Sequence, residues 1–422
     1  MSIAGAYLRG FEPFKDQPVE FKPKANRDLA DVHFFVGQNG TGKTRLLSLL
    51  AAACGNPEEL KFRTGSFSSS VVARVTENGT EKFQMFLPNH GGAAPTPGPL
   101  SAAFSSAEKL PAQIPVALQV VSGAIAMAFR SIPSLEDQSV TPMGAVQWGP
   151  SQTFLKFAHH ANESALLCQA LANLKVRMGI VSSDPKDRAV RMVHAFDKAI
   201  QSITSNDLVL TVGYVSKEFR LKVSWLGKET RLSHLPDGLR AIVGWLASVV
   251  CKLDALLPDA ESPLEQPLIL LLDEPDAYLH PAWQRKLIPA VQRLLPNAQI
   301  FVATHSPFVI SSVSAGWIYI FEADSAGKVT IQAPIACSQG ESYIDVVEDI
   351  LGVKERFDPE TENRLSEFRT KRDALKRQPS DEAFKELQSL AEKIAERGQT
   401  LKFMMGRELA QLDAQLLQAQ SA

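Results

Sequence analysis

The residues from Gly37 to Thr44 have the types and spacing of a loop that wraps a phosphate chain. Its glycines let the backbone N–H groups turn inward toward phosphate oxygens, and a helix that starts after the loop adds partial positive charge. Lys43 would bring a full positive charge to the β- and γ-phosphates, and the Thr44 hydroxyl would coordinate Mg²⁺. ATP and Mg²⁺ are therefore the expected cofactors. The candidate nucleotide-binding residues are Asn39, Gly40, Thr41, Gly42, Lys43, Thr44 and Arg45.

Two carboxylates, Asp273 and Glu274, follow the apolar run from Pro267 to Leu272. A continuous apolar run is typical of a strand buried on both faces, and ligands of such sheets bind at the carboxyl ends of the strands. Asp273 is therefore a candidate metal ligand together with Thr44. Glu274 is a candidate catalytic residue that orients or deprotonates the attacking water. The alternative, two carboxylates that cap the next turn, leaves the apolar lead unexplained.

A histidine, His305, follows a second apolar run, from Ile300 to Ala303. A polar group at the end of a neighbouring strand could sense the γ-phosphate, which makes His305 the second candidate catalytic residue. A lone histidine is more often a core or surface residue, but the strand before it and its place after the acidic pair favour the functional interpretation.

These loops need a sheet and helices to hold them, and the pattern of apolar residues and turn signals predicts both. Between them we predict a helical lobe at residues 151–205 and a flexible insertion, rich in Gly, Pro, Ala and Ser, at residues 90–115. The predicted helices are 45–53, 237–253 and 281–295. The predicted strands are 7–11, 19–21, 32–36, 71–75, 82–86, 208–214, 219–225, 268–272, 300–303, 317–321 and 329–331.

The end of the chain, residues 341–422, is charged and helical, with apolar residues at helical spacing. Such a stripe must be buried against something. It either packs on the chain's own core or forms an oligomer or partner-docking surface, and the sequence leaves both open. The stripe consists of Leu387, Leu390, Ile394, Leu409, Leu412 and Leu416. The predicted domains are therefore a head at 1–340 and a helical region at 341–422.

The bulk composition is that of a soluble globular protein. Hydrophobic residues make up 45% and charged residues 21% of the 422 residues, and the net charge of −2 gives no global attraction for nucleic acid. The four cysteines fit no CxxC spacing, as expected of free thiols in a reducing compartment. No apolar run approaches the ~20 residues of a membrane helix. We therefore expect a cytoplasmic protein with no membrane partner.

Three motifs in this order resemble the RecF/OLD/Rad50-like branch of the ABC-type ATPases: YLRGF…VEF…VHFFVGQNGTGKT, then DEPDAYLHP, then ATHSPF. The resemblance spans most of residues 1–340. It implies an α/β fold, an ABC-type P-loop NTPase head with a mixed central sheet, an antiparallel β subdomain and a helical lobe, plus a C-terminal helical region. It also implies a homodimer of heads, with residues 276–281 at the seam and each nucleotide site completed by the second copy.

The signature segment of that branch, typically LS.G.R before a helix, is irregular here, because Pro236 stands where serine is expected. The resemblance implies that Ser233, Asp237 and Gly238 face the nucleotide of the opposite copy. Asp237 suits a helix cap, and Gly238 permits a close approach. Which serine contacts nucleotide stays open, and the Q-loop is placed only by its neighbourhood, at residues 126–133.

The stretch between Lys43 and Gly238 is too short for the coiled-coil arm of SMC and Rad50 proteins. The tail YIDVVEDILGVKERFDPE…LSEFRTKRDAL resembles the C-terminal region of the Septu and retron-associated ATPases of bacterial anti-phage systems. This resemblance implies an ATP-hydrolysing sensor or scaffold, a homodimer of heads and a higher homo-oligomer, that controls a nuclease supplied in trans. An HNH-type effector is favoured. A Toprim-type effector, as in the architecturally similar PARIS system, is the second choice.

Two other functions remain open from the sequence. One is a RecF-like DNA-repair ATPase that clamps DNA across the dimer, and the other is a regulatory ATPase switch without nucleic acid. A neighbouring nuclease gene would favour defence, whereas ATP-dependent duplex binding with a steep salt dependence would favour repair.

Overall fold

The computed structural model describes residues 2–23, 28–54, 70–77, 80–86, 116–117, 125–129, 139–141, 143–148, 163–178, 184–205, 208–215, 218–338, 340 and 342–420. The predicted insertion at 90–115, the first part of the predicted helical lobe and residues 130–133 lie outside this part of the chain. The chain divides into two compact units, Met1–Leu351 and Gly352–Ala422.

Strands are concentrated in the first unit and alternate with helices along the chain. The strands are β1 (Ser2–Leu8), β2 (Gln17–Glu20), β3 (Asp31–Gly37), β4 (Ser70–Glu77), β5 (Thr80–Phe86), β6 (Val116–Ala117), β7 (Ile125–Phe129), β8 (Ser139–Val140), β9 (Val209–Val215), β10 (Glu218–Trp225), β11 (Lys228–Thr230), β12 (Leu268–Asp273), β13 (Ala298–Ala303), β14 (Trp317–Ala323), β15 (Val329–Ile331) and β16 (Ile335–Ala336).

Helices surround these strands and make up most of the second unit. The helices are α1 (Lys43–Ala53), α2 (Glu163–Val176), α3 (Arg188–Thr204), α4 (Asp237–Leu256), α5 (Pro281–Leu294), α6 (Pro307–Ile310), α7 (Tyr343–Asp345), α8 (Pro359–Arg377), α9 (Asp381–Ala395) and α10 (Gln399–Gln420). A π-helical turn, Val346–Ile350, continues α7.

The central sheet has the strand order β15-β14-β3-β13-β12-β7, with β16 paired to β14. The pairs from β14 to β7 are parallel, and β15 is antiparallel. In this register Asp273 lies opposite Ala303, and Ala303 lies opposite Phe35. Because parallel strands end at the same edge of a sheet, the loops that follow β3, β12 and β13 meet there.

Two smaller sheets flank this one. In one, β2, β1, β4 and β5 pair antiparallel and β6 pairs parallel with β5; in the other, β10 pairs antiparallel with β8, β9 and β11. The mixed central sheet, the antiparallel sheet and the helical C-terminal region give the α/β class predicted from the sequence.

Strand β12 shows why a strand of the central sheet has a continuous apolar sequence. All of its residues are buried. Leu268, Leu270 and Leu272 pack in one hydrophobic cluster, and Ile269 and Leu271 pack in the other. Successive side chains of a strand point to opposite faces, so a sheet covered on both faces needs apolar residues at every position.

Strand β1 differs from its prediction at 7–11, because it begins at Ser2 and ends at Leu8. Gly10 ends it with a left-handed φ of 63°. The Gly10 N–H then donates to Asp16 Oδ1 at 2.9 Å, which closes a loop. Phe11, predicted in the strand, is instead a buried residue of this loop.

The first unit extends past residue 340, because the turn after α7 contributes to its core. Val346 has no exposed surface and Ile350 is 7% exposed, and both pack in the same cluster as Val309 and Ile310 of α6. The boundary between the two units therefore lies after Leu351, so that these residues stay in the core of the first unit.

The second unit is three helices, α8, α9 and α10, around a hydrophobic cluster of their own. Leu387, Ile394 and Leu412 of the predicted apolar stripe are buried in it, and Leu390 and Leu409 are partly buried. The side chain of Leu416 lies outside the described residues. The stripe is thus buried in large part by packing between the helices of the unit itself.

Candidate functional site

The phosphate loop lies between β3 and α1. Gly42 precedes the helix with φ 89°, and a Cβ on it would lie 2.7 Å from Cζ of Phe14, so only glycine fits. Asn39 and Gly40 are exposed at the tip of the loop. The Thr41 hydroxyl donates to the Gln38 carbonyl at 2.8 Å and holds the turn closed. The loop is therefore rigid at its base and open at its tip.

Lys43 is buried at the base of this loop. Its ammonium donates to the carbonyl oxygens of Gly37 at 2.8 Å and of Gln38 at 2.9 Å. Burial lowers the pKa of Lys43 to about 8, while the nearby carboxylates of Glu274 and Asp273 act in the opposite direction. The site thus holds a cation that lacks most of its hydration and would gain from more negative charge nearby.

Asp273 and Thr44 come together although they lie far apart in the sequence. Asp273 ends β12 and is 4% exposed. The Thr44 hydroxyl lies 3.0 Å from each carboxylate oxygen of Asp273. A hydroxyl and a carboxylate are the hard oxygen ligands that Mg²⁺ prefers, and they lie beside a phosphate loop. This donor set fits Mg²⁺, and Thr44 and Asp273 would hold it.

Glu274 stands at the edge of the site with an exposed side chain. Its backbone is left-handed, with φ 52°, which is costly for a residue other than glycine and turns the chain after β12. The Glu274 N–H donates to the Ala303 carbonyl at 2.8 Å, which fixes this turn against β13. The carboxylate is open to solvent and lies close enough to Lys43 to act on its pKa.

His305 follows β13 and is partly exposed. Burial lowers the pKa of His305, the Lys43 charge lowers it further, and Glu274 opposes both. Lys43, Glu274 and His305 therefore lie close enough to influence one another electrostatically. The lowered pKa favours a neutral imidazole, which can donate or accept a hydrogen bond.

Arg45 takes a different part from the other phosphate-loop residues. Its Nη1 donates to the Glu12 carbonyl at 2.6 Å, in the loop between β1 and β2. The same loop packs Phe14 against Gly42. Arg45 therefore links the loop between β1 and β2 to the phosphate loop. Its contact with nucleotide stays a prediction.

The three residues predicted to act on a second copy lie at the start of α4. Ser233 is exposed in a short 3₁₀ turn, Leu232–His234. A Cβ on Gly238 would lie 2.9 Å from the Tyr278 carbonyl oxygen, so the helix start packs closely on the loop after the acidic pair. The prediction that Asp237 caps the helix is wrong. Pro236 holds the cap position, and Asp237 is already helical and pairs with Arg240.

The structure also connects the acidic and histidine loops through a hydrogen bond between Thr304 and Asp276, which the sequence did not predict. The Thr304 hydroxyl donates to Asp276 Oδ1 at 2.6 Å. Burial raises the pKa of Asp276, and the hydrogen bond from Thr304 opposes this. The two residues lie 28 positions apart in the sequence, and no local signal marks Asp276 as the partner of Thr304.

The neighbourhood assigned to the Q-loop begins with β7, which pairs with β12 at the edge of the central sheet. Phe129, its last residue, lies opposite Leu272. The residues from 130 to 133 lie outside the described part of the chain. Among the described helices, none combines the length and apolar character needed to cross a membrane.

Comparisons with known proteins find matches to parts of the chain. Residues 173–311 match a family model described as "AAA domain, putative AbiEii toxin, Type IV TA system". This segment includes the acidic pair, the histidine, the start of α4 and the whole of β13. The phosphate loop lies outside it.

Three curated relatives match parts of the chain. A retron Vc95 probable ATPase of Vibrio cholerae is 33% identical over 22% of this chain and 18% of its own length. A retron Ec83 probable ATPase of Escherichia coli is 34% identical over 21% of this chain and 16% of its own length. A Septu protein PtuA of Bacillus thuringiensis is 30% identical over 28% of this chain and 31% of its own length. The chain spans less than a third of the length of each of these relatives.

Among solved structures, an SMC head bound to the C-winged helix domain of ScpA has a TM-score of 0.42 and 11% identity, covering 80% of this chain and 98% of the other. The SMC head domain from Thermotoga maritima has a TM-score of 0.38 and 16% identity, covering 79% and 99%. The family match and the sequence matches therefore show that parts of this chain are similar to a AAA domain, to two probable ATPases of retrons and to a Septu protein.

Proposed function

We propose that this chain is an ATP-hydrolysing subunit of an anti-phage defence system. The observation that carries the proposal is the meeting of Thr44 and Asp273 at 3.0 Å beside the buried Lys43. A metal-binding oxygen pair next to a cation in a glycine loop is suited to a nucleoside triphosphate with Mg²⁺. The bound metal would neutralise charge on the phosphates. Side chains of this chain would bind the phosphates and position the attacking water.

Each of these side chains has a role that follows from its place. Lys43 would exchange a carbonyl contact for a phosphate oxygen, whose negative charge would compensate for the hydration lost on burial. Glu274, exposed beside Lys43, would orient or deprotonate the attacking water. His305, with a lowered pKa, would contact the γ-phosphate end of the nucleotide as a neutral donor.

A second copy of the chain would complete the site. Ser233, Asp237 and Gly238 lie at the start of α4, where helix N–H groups point outward and favour an anion. Gly238 packs on the same loop that carries Tyr278, whose side chain is 85% exposed. In the proposal this end of one head faces the nucleotide of another, so ATP binding favours a dimer of heads and a larger homo-oligomer.

The ATPase experiment compares the full chain with Lys43→Ala and Glu274→Gln, and uses Lys15→Ala, an exposed lysine, as the matched control. We expect Lys43→Ala to lose ATP binding. We expect Glu274→Gln to bind ATP but to hydrolyse it about a hundredfold or more slowly, and to accumulate as a dimer by light scattering. Wild-type ATP affinity and turnover in Lys43→Ala would contradict the proposal.

The finer part of the proposal is that the oligomer controls a nuclease supplied in trans, of the HNH type or, as second choice, of the Toprim type. Its support is the similarity to the retron and Septu proteins. Co-expression from the native operon with a tagged chain tests it, followed by mass spectrometry of the complex and a DNA cleavage assay with and without ATP. A complex without nuclease activity would reject the effector and leave the ATPase proposal standing.

A further inference from the structure

Gln284 lies in the first turn of α5, and its side-chain amide contacts both loops of the candidate site. Its Nε2 donates to the carbonyl oxygens of Asp276 and Leu279, each at 3.1 Å. Its Oε1 accepts a hydrogen bond from Ser306 Oγ at 2.8 Å. One planar group therefore joins the acidic loop, residues 274–280, to the histidine loop, residues 303–307.

The chemistry of these contacts requires an amide. Both N–H groups of Gln284 are used on carbonyl oxygens, and its oxygen faces a hydroxyl. If the amide were turned around, its oxygen would lie against two carbonyl oxygens. The hydrogen bonds therefore fix the orientation of the amide. Glutamate could accept from Ser306 but could not donate to the carbonyls, and an apolar side chain could do neither.

Further bonds surround this amide. Ser306 Oγ, which donates to Gln284, accepts from the Val309 N–H at 3.2 Å. Thr304 Oγ1 accepts from the Ser306 N–H at 3.0 Å and donates to Asp276 at 2.6 Å. Thr304 has no exposed surface, and Ser306 is 7% exposed. In such a desolvated network each lost partner leaves a buried polar group unsatisfied, so the members hold one another in place.

We propose that Gln284 is a positioning residue that holds the acidic loop and the histidine loop together as one unit. Glu274 begins the acidic loop and His305 lies within the histidine loop, whereas Gln284 itself is not one of the reacting groups. A shift of the acidic loop is thereby passed to His305, and the two side chains keep a fixed separation. The catalytic consequence rests on the proposed ATP hydrolysis; the mechanical link between the loops rests on the contacts alone.

The test uses Gln284→Met, which keeps the length of the side chain and removes its amide. The matched control is Gln292→Met on the same helix. Gln292 is 3% exposed and donates to the carbonyl oxygens of Ala30 at 2.9 Å and Ala315 at 3.1 Å, away from both loops. Both variants lose an amide that donates to two carbonyls, so both should lose stability, and only one should disturb the loops.

We expect kcat for ATP to fall by about ten- to a hundredfold in Gln284→Met, with KM within about threefold of wild type, because orientation is lost and not binding. Gln292→Met should keep kcat within about twofold. Ser306→Ala removes the contact with Gln284 from the other side, together with the acceptor for the Val309 N–H, so the losses of the two single variants should be less than additive in the double variant.

Hydrogen exchange gives a readout that needs no activity. In Gln284→Met, exchange should become faster in both segments, 274–280 and 303–310, and in Gln292→Met it should stay at the wild-type rate there. Unchanged kcat in Gln284→Met, or faster exchange in only one of the two segments, would overturn the inference. So would equal losses of kcat in Gln284→Met and Gln292→Met.

The two proposals fail in different ways. If the wild-type chain binds and hydrolyses no ATP, the proposed function fails. The link between the loops is then decided by hydrogen exchange: joint acceleration in Gln284→Met supports it, and wild-type exchange in both segments refutes it.

Discussion

Replacing Lys43 by methionine should change the pH dependence of stability as well as nucleotide binding. Burial lowers the pKa of Lys43 to about 8 in the folded chain, against an ordinary value of 10.5. Below about pH 8 the lysine is charged in both the folded and the unfolded chain, and folding carries the full cost of burying the charge. As the pH rises through this value, the folded chain releases the proton while the unfolded chain keeps it, so the wild-type chain gains stability up to the unfolded pKa.

The size of the effect follows from the shift. Each pKa unit corresponds to about 1.4 kcal/mol, so the whole shift corresponds to about 3 kcal/mol. Between about pH 7 and about pH 9.5 the folded chain becomes mostly neutral at Lys43 and the unfolded chain stays mostly charged, which recovers about 2 kcal/mol. The Lys43→Met chain lacks this titration. The difference in unfolding free energy, Lys43→Met minus wild type, should therefore shrink by about 2 kcal/mol over this range.

Urea unfolding followed by tryptophan fluorescence measures the effect. Every tryptophan lies before residue 352, so the signal reports the first unit, which holds the site. Lys15→Met, at an exposed lysine paired with Asp324, supplies the baseline for removing a surface charge. Saturating ATP should abolish the pH dependence in the wild-type chain, because phosphate charge raises the pKa of Lys43 again. A difference between Lys43→Met and wild type that stays constant with pH would refute the reasoning.

Three further predictions concern separate parts of the chain. Glu274→Gln should retain ATP affinity within about threefold while single-turnover hydrolysis slows by about a hundredfold or more; hydrolysis at the wild-type rate would assign the water to another residue. Gly42→Ala should lower the unfolding free energy by about 1–3 kcal/mol in the same urea assay, since its backbone is left-handed and a Cβ would meet Phe14; an unchanged value would contradict the steric argument. Leu387→Ala should destabilise the three-helix unit by about 2–5 kcal/mol, measured by far-ultraviolet circular dichroism, because Leu387 has no exposed surface; an unchanged helical signal on heating would show that the cluster is not needed.

Much of the central sheet was predictable because its signals are local. The run from Leu268 to Asp273 is buried at every position, and so is the run from Ala298 to Ala303, as continuous apolar strands between two layers must be. The phosphate loop can be recognised in the sequence for the same reason, because the left-handed backbone at Gly42 favours glycine at that position. In motifs of this kind, the residues of the motif itself largely determine the local backbone geometry.

Local patterns failed where a residue's role depends on packing. Asp237 has the chemistry of a helix cap, but the chain enters α4 one residue earlier, at Pro236, and Asp237 pairs with Arg240 instead. Val346 and Ile350 read as part of a charged tail, yet both are buried in the core of the first unit. Burial is decided by what lies opposite a side chain, which a short stretch of sequence does not contain.

The sequence by itself determined which residues could bind phosphate, metal and water, and in which order their strands lie along the chain. Only the tertiary structure decided how the loops are joined: the amide of Gln284 meets Asp276, Leu279 and Ser306, and the last of these is 22 residues away in sequence. The physical reason is the short range of a hydrogen bond. Its partners must lie within about 3 Å in space, and that neighbourhood is set by the register of parallel strands and the packing of α5.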